Sequence, residues 1–228
     1  MIQMTNVYKE YSNGIVAANG IDVQIQQGEF IYVVGPSGAG KSTFIKLMYR
    51  EEKPTSGDVI INGINTAKLK SHRVPYLRRN MGVVFQDFKL LPSLTVYENV
   101  AFALEVTEEP TVMMKKRVMD VLDLVGLKHK ARMLPDELSG GEQQRVSIAR
   151  SIVNTPKLVI ADEPTGNLDP ETSWEIMKIF EEINTRGTTV IMATHNRDIV
   201  NTIRHRVIAI ENGKIVRDEQ RGDYGYEL

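Results

Sequence analysis

The chain has 228 residues, 42% hydrophobic and 25% charged, with a formal net charge of −1, the make-up of a soluble globular protein with one large domain or two small ones. That charge provides no global field for nucleic acid, and the absence of cysteine excludes disulfides and thiol chemistry and fits a reducing compartment. No apolar run approaches the ~18 residues of a membrane span, and Met1-Ile2-Gln3-Met4-Thr5 lacks the basic-then-apolar start of a secretion signal, so any membrane role is expected to come through a partner.

Ile2, Met4 and Val7 precede the turn signal Ser12-Asn13-Gly14, and Ile21, Val23 and Ile25 precede Gln27-Gly28. With Val59-Ile60-Ile61 and the Asn62-Gly63 turn they predict a small antiparallel β layer. Tyr11, at the end of the first run, reads either as a half-buried strand tyrosine or as a platform for a nucleotide base. Phe30 to Val34 is an apolar run that reads as a buried strand, and Thr43 to Met48 reads as a helix start. Between them stands Gly35-Pro36-Ser37-Gly38-Ala39-Gly40-Lys41-Ser42, the G-x-x-x-x-G-K-[ST] phosphate-binding pattern in the strand–loop–helix context it needs. Glycines let successive N–H groups converge on phosphate oxygens, and the helix start adds partial positive charge. Lys41 then supplies a full charge to the β- and γ-phosphates, and the Ser42 hydroxyl is a ligand for Mg²⁺. Gly35 to Thr43 are therefore assigned to the phosphates of a nucleotide.

Residues 71–80 are basic, with His72, Arg73, Arg78 and Arg79 around Pro75, and read as a solvated helix face rather than a nucleic-acid patch. Met81 to Phe85 is a strand; Gln86 at its end is either placed to reach a ligand or an ordinary strand-ending glutamine. From Asp87 to about Val153 the pattern turns helical. Thr95 and Glu98 form a capping box, Val112, Val118, Val121, Leu122 and Val125 share a helix face, and Gly126 closes that helix. Phe88, Leu90, Leu91, Leu94 and Tyr97 make an apolar cluster expected to be mostly core, with room for a groove that receives a partner helix. Leu138-Ser139-Gly140-Gly141-Glu142-Gln143 opens the last helix of this stretch. Ser139 and Glu142 are spaced as a capping box, while Gly140 and Gly141 cost helix propensity and bare backbone N–H groups, a second anion site that suggests a second copy facing the first.

Leu158 to Ala161 is a buried strand ending in Asp162-Glu163, two carboxylates that are costly to bury without a cation. In that pair Asp162 is expected to hold Mg²⁺ and Glu163 to take a proton from, or orient, the attacking water. Asp169 caps a helix with Pro170 at its first position and Ile176, Ile179, Phe180 and Ile183 as its buried stripe; Trp174 is read as core or interface. Thr188 to Ala193 is a further buried strand, closed by Thr194-His195; this histidine reads either as structural or, because it follows a core strand where ligands bind in such sheets, as a ligand contact. Residues 207–216 form a hairpin, and the tail from Asp218, with Tyr224 and Tyr226, is a disordered segment or a docking strip.

These residues, in this order, resemble an ABC-type ATPase subunit over essentially the whole chain. The resemblance implies an α/β P-loop NTPase (RecA-like) core with an N-terminal antiparallel β layer and an inserted helical subdomain, residues 1–86 and 154–228 forming the core and 87–153 the insertion. It implies that Tyr11 stacks on adenine, that Gln86 contacts Mg²⁺ and water and senses the partner, and that His195 contacts the γ-phosphate. Ser139, Gly140 and Gly141 then bind ATP held by the other subunit of a homodimer, Asp169 couples the two sites, and Glu163 is the catalytic carboxylate. Residues 161–169 are similar to the branch that contains lipoprotein-release, macrolide-export and cell-division ATPases, and within it the stretches 82–88, 91–92, 95–104 and 187–195 look most like the cell-division branch. That branch implies an integral membrane partner, FtsX-like, docking near Gln86, Phe88, Leu91 and Tyr97. It further implies indirect control of a peptidoglycan hydrolase, and a place on the cytoplasmic face of a bacterial plasma membrane at the division site. An importer or exporter engine, or a nucleotide-dependent clamp with little hydrolysis, are the competing readings.

Overall fold

The computed structural model describes residues 1–107 and 110–225, with 111 and 112 by backbone alone; Tyr226 and the Val112 side chain, singled out above, lie outside the described residues. In chain order the elements are β1 (Ile2–Glu10), β2 (Val16–Ile25), β3 (Phe30–Val34), α1 (Lys41–Met48), β4 (Ser56–Ile61), β5 (Ile64–Asn65), α2 (Val74–Arg78), β6 (Met81–Val84), α3 (Val96–Glu105), α4 (Thr111–Leu124), α5 (Gly140–Ile152), β7 (Leu158–Asp162), α6 (Pro170–Thr185), β8 (Thr189–Ala193), α7 (Arg197–Thr202), β9 (Arg206–Glu211) and β10 (Lys214–Glu219). They fall into two units, residues 1–78 with 189–228, and residues 79–188. Among the described residues no helix is long and apolar enough to cross a membrane.

In the first unit β2, β1, β4 and β5 form the antiparallel layer in that order. Ile2 pairs with Ile25 and Ile61, and Met4 with Val23 and Val59, so the period-two apolar positions stack on one buried face. Val7 breaks that count by one residue yet is fully buried. The reason is a register shift between Met4 and Val7, where Asn6 adopts φ 48° and the strand bulges. Asn62-Gly63 and Asn212-Gly213 both take left-handed φ at two successive residues, the turn that matches strand twist in a two-residue hairpin. The second sheet segment of this unit runs β10-β9-β3-β8, with β3 parallel to both β8 and β9. Every residue of β3 and β8 is buried, which is why both read as continuous apolar runs without alternation.

The tail does not behave as a free strip. Tyr224 is 7% exposed; its N–H donates to Asn201 Oδ1 at 2.8 Å and its carbonyl accepts from Arg217 at 2.9 Å. The Arg197 guanidinium lies 5.3 Å from its ring centre. His205 stacks on Phe30 with ring centres 4.3 Å apart.

In the second unit β6 and β7 pair in parallel, Met81 opposite Leu158 and Val84 opposite Ala161. Val96, Val100 and Leu104 of α3 share a core with Val118 and Leu122 of α4 and Val146 and Ala149 of α5. Both predicted capping boxes form: Thr95 accepts from the Glu98 N–H, and Ser139 from the Glu142 N–H. On α6, Ile176, Phe180 and Ile183 are buried as the periodicity requires, joined by Met177, whereas Ile179 is half-buried. The expected apolar cluster is corrected: Phe88, Leu90, Leu91, Leu94 and Tyr97 are each half-buried, and Leu90 and Tyr97 lie against the margin of the helical core. Phe88, Leu90, Leu91 and Leu94 follow Gln86 as an irregular loop, whose 91–95 part is gripped by buried Asn99 through three carbonyls and one N–H, so no regular periodicity turns them inward; Tyr97 lies in the first turn of α3.

Candidate functional site

The phosphate loop leaves the carboxyl end of β3 and enters α1 at Gly40, which has φ 108°. A Cβ at Gly40 would lie 2.3 Å from the Ala17 carbonyl oxygen, and one at Gly35 2.1 Å from that of Ile210. Glycine is needed at both positions because neighbouring backbone fills the space a side chain would take. The β9–β10 hairpin also braces the loop, the Gly213 N–H donating to the Ala39 carbonyl at 2.9 Å. No side chain caps the start of α1, and a helix N-terminus favours an anion. Lys41 is 9% exposed, and its Nζ donates to the carbonyls of Gly35 at 2.8 Å and Pro36 at 3.0 Å. The ammonium is thereby held against two neutral carbonyls of the loop itself. Ser42 is exposed and Thr43 buried.

Tyr11 is anchored twice beside this loop. Its hydroxyl lies 3.1 Å from Thr43 Oγ1, and Lys9 Nζ sits 4.8 Å from its ring centre. Lys9 is itself paired with Glu52 at 2.7 Å. His195, in the same unit, is exposed just beyond β8. It stands between buried Thr194, whose Oγ1 accepts from the Asn196 N–H at 3.0 Å, and Asn196, which caps α7.

The second unit gathers a different set. Asp162 ends β7 half-buried, and Glu163 follows with φ 49°, a left-handed backbone that is uncommon for a side-chain-bearing residue and held only where its surroundings over-determine it. The Gly166 N–H closes this turn onto the Glu163 carbonyl at 3.0 Å. Gln86 donates from Nε2 to Asn167 Oδ1 at 3.3 Å, and Asn167 Nδ2 returns a bond to the Gln86 carbonyl at 3.3 Å. A Cβ at Gly166 would meet Gln86 Nε2 at 3.0 Å and Glu163 Oε2 at 3.4 Å. Amide and carboxylate thus flank one glycine, so Gln86, Glu163 and Asn167 form one cluster.

Ser139, exposed, caps α5 and is bonded in return: its N–H donates to Glu142 Oε2 at 3.0 Å. Gly141 is buried, and a Cβ there would meet Thr172 Cγ2 at 2.4 Å. Thr172 in turn donates its N–H to Asp169 Oδ1 at 2.9 Å, the cap of α6. The start of α5 and the Asp169 turn are therefore one packed junction. Hydrogen bonds from Thr172, side chain then backbone, hold the exposed Asp169 carboxyl below its ordinary range. Lys130 does the same for Glu142. Because the Glu142 pKa is lowered in the folded state, its contribution is complete above the ordinary value of 4.5 and fades as pH falls through the lowered one. The stability difference between the wild type and Glu142→Gln, measured by urea titration, is expected to be constant above pH 4.5 and to shrink below it.

Sequence reading missed Gln144. It is fully buried, and its Nε2 donates to the Pro164 carbonyl at 2.7 Å, tying α5 to the turn after Glu163. The signal was available: Gln144 falls on the same helix stripe as Gly141, Ile148 and Ile152, all buried, and a polar residue on an apolar stripe needs a partner.

Within the second unit Gln86 and Asp162 carry oxygen atoms of the kind hard cations take, and in the first unit Ser42 carries a hydroxyl. Among the described residues no group of three or more His, Asp or Glu side chains is placed to hold a metal ion.

A model of the ABC transporter family matches residues 18–166. The chain is 71% identical over 225 residues to the cell division ATP-binding protein FtsE of Bacillus subtilis, covering 99% of each chain. It is 54% identical to that of Mycobacterium tuberculosis over 228 residues, covering 100% of this chain and 99% of the other. Among solved structures, a dimeric ATP-binding cassette, MJ0796, in a post-hydrolysis state with ADP and Pi superposes with TM-score 0.88 at 35% identity, covering 97% of this chain and 99% of that one.

Proposed function

Because the chain belongs to the ABC transporter family of P-loop ATPases, in its cell-division FtsE group, we propose that it is the nucleotide-driven engine of a membrane partner of the FtsX type, acting on a peptidoglycan hydrolase at the division site. The observation that carries the chemistry is the Glu163 turn, with its carboxylate and the Gln86 amide gathered at Gly166. Residues 1–86 and 154–228 serve as the ATPase core and 87–153 as the helical insertion. ATP is held by Gly35 to Thr43, with Lys41 on its β- and γ-phosphates and Tyr11 against the base. Ser42, Gln86 and Asp162 would hold Mg²⁺, which supplies charge neutralisation to the phosphates.

Two copies close head to tail, Ser139, Gly140 and Gly141 of one reaching the γ-phosphate held by the other, a use of one chain that two-fold symmetry allows. Glu163 accepts a proton as water attacks the γ-phosphorus. The bond to the β–γ bridging oxygen breaks, ADP and phosphate form, and His195 loses its γ-phosphate contact. Asp169 links the two sites. Departure of the γ-phosphate contacts opens the pair, and the half-buried apolar residues Phe88, Leu91 and Tyr97 pass that motion to the partner.

The test is a pull-down from detergent-solubilised bacterial membranes with ATP, Mg²⁺ and Glu163→Gln chain as bait. An FtsX-like protein with a large extracellular loop, together with a cell-wall hydrolase, is the expected catch. A multi-span permease with a solute-binding protein would instead make the chain a transporter engine. That second reading is favoured by the likeness to the dimeric structure of MJ0796, a bacterial ABC transporter cassette, TM-score 0.88 at 36% identity.

A further inference from the structure

Two successive residues after Gln86, Phe88 at φ 58° and Lys89 at φ 50°, lie in the left-handed region. Glycine or asparagine commonly occupies that region; a bulky aromatic followed by lysine does not, and such a pair persists only when something outside it holds it. The chain supplies the hold from 62 residues away. Arg150, on the last turns of α5, donates from Nη2 to the Phe88 carbonyl at 2.9 Å and from Nη1 to the Lys89 carbonyl at 2.7 Å. One planar guanidinium thus bridges the two carbonyls whose peptides are strained, a fork a point-charge ammonium cannot reproduce. Among the described residues Arg150 forms no ion pair, and burial draws its pKa down from the ordinary value. Its charge is therefore committed to these carbonyls. The helix that carries it is rigidly seated: a Cβ at Gly82 of β6 would lie 2.4 Å from the Ser151 carbonyl oxygen.

We propose that Arg150 is a positioning residue for Gln86, clamping residues 85–89 in the strained turn that presents the amide beside Asn167 and Glu163. The clamp also gives α5 two ends of consequence, Ser139 at its start and the Gln86 loop near its finish, so a load on one end reaches the other through a single helix. This rests on the reading of Gln86 and Glu163 as hydrolytic residues given above.

The test compares wild type, Arg150→Met, Arg150→Lys and Arg150→Met/Lys89→Gly by hydrogen–deuterium exchange over residues 85–92 and by ATPase kinetics. Arg150→Met is expected to raise exchange in that segment about 10-fold, with β7 and α6 unchanged. It is also expected to lower kcat about 10-fold while KM for ATP stays within about 2-fold, the mark of lost positioning rather than lost binding. Arg150→Lys, which keeps the charge without the fork, falls between, and serves in place of Arg150→Met if that variant does not fold. Glycine at 89 relieves the left-handed strain and is expected to recover about 3-fold of the lost kcat; a purely structural arginine would gain nothing from it. Unchanged exchange in a folded variant overturns the clamp. Raised exchange with unchanged kcat, or no recovery with Lys89→Gly, overturns its role in presenting Gln86. A wild type without Glu163-dependent turnover would sink the hydrolytic reading instead, and the exchange comparison would still decide the clamp.

Discussion

Glu163→Gln lowers ATP turnover at least ~10²-fold while ATP stays bound and holds two chains together. The amide keeps the size of the side chain and its place in the left-handed turn, where the residue has φ 49°, so the fold is not the variable. What is lost is the basic oxygen that takes the proton from attacking water. Because the γ-phosphate then persists, the contacts assigned to Ser139, Gly140 and Gly141 persist with it, and size-exclusion chromatography with ATP and Mg²⁺ is expected to show a stable dimer. Turnover equal to wild type would remove Glu163 from the mechanism. A wild type as slow as the variant, yet equally dimeric, would make the chain a nucleotide-dependent clamp.

Lys41→Met weakens ATP binding about 10²-fold, the sum of two lost hydrogen bonds from a charged donor at about 1.5 kcal/mol each. Methionine roughly conserves volume in a position that is 9% exposed. The substitution does strip the Gly35 and Pro36 carbonyls of their shared donor, so a thermal melt must accompany the titration. The loop keeps its glycines and its bond from Gly213, and the melt is expected to move by only a few degrees. Calorimetric titration with a non-hydrolysable ATP analogue decides the matter: affinity within about 2-fold of wild type would mean that the ammonium keeps its carbonyl partners when nucleotide arrives and does not serve the phosphates.

The parts of the site that could be read without coordinates share one property: their information is local. The phosphate loop is eight residues whose spacing alone states the backbone shape. Thr95 with Glu98, Ser139 with Glu142, and Asp169 before Pro170 are caps that close within three residues, and the hairpin turns at Asn62-Gly63 and Asn212-Gly213 close within two. Buried parallel strands and Asp162-Glu163 at the end of one of them follow from runs of β-branched residues. The same locality explains what spacing leaves out. Val7 faces the core only because a bulge at Asn6 resets the strand's count, and Tyr224 is buried only because Asn201 and Arg217 meet it.

From its sequence alone the chain determined the phosphate loop, the carboxylate pair at a strand's end, the capped signature helix and the order of the elements, since each rests on backbone bonds between residues a few positions apart. Tertiary structure alone decided how those parts are held. Ala17 and Ile210 make Gly40 and Gly35 obligatory, Thr172 fills the space beside Gly141, Gln144 ties α5 to the Glu163 turn across 20 residues, and Arg150 grips the loop after Gln86 across 62. Contacts at such separations depend on which faces pack together, and no short-range spacing records that.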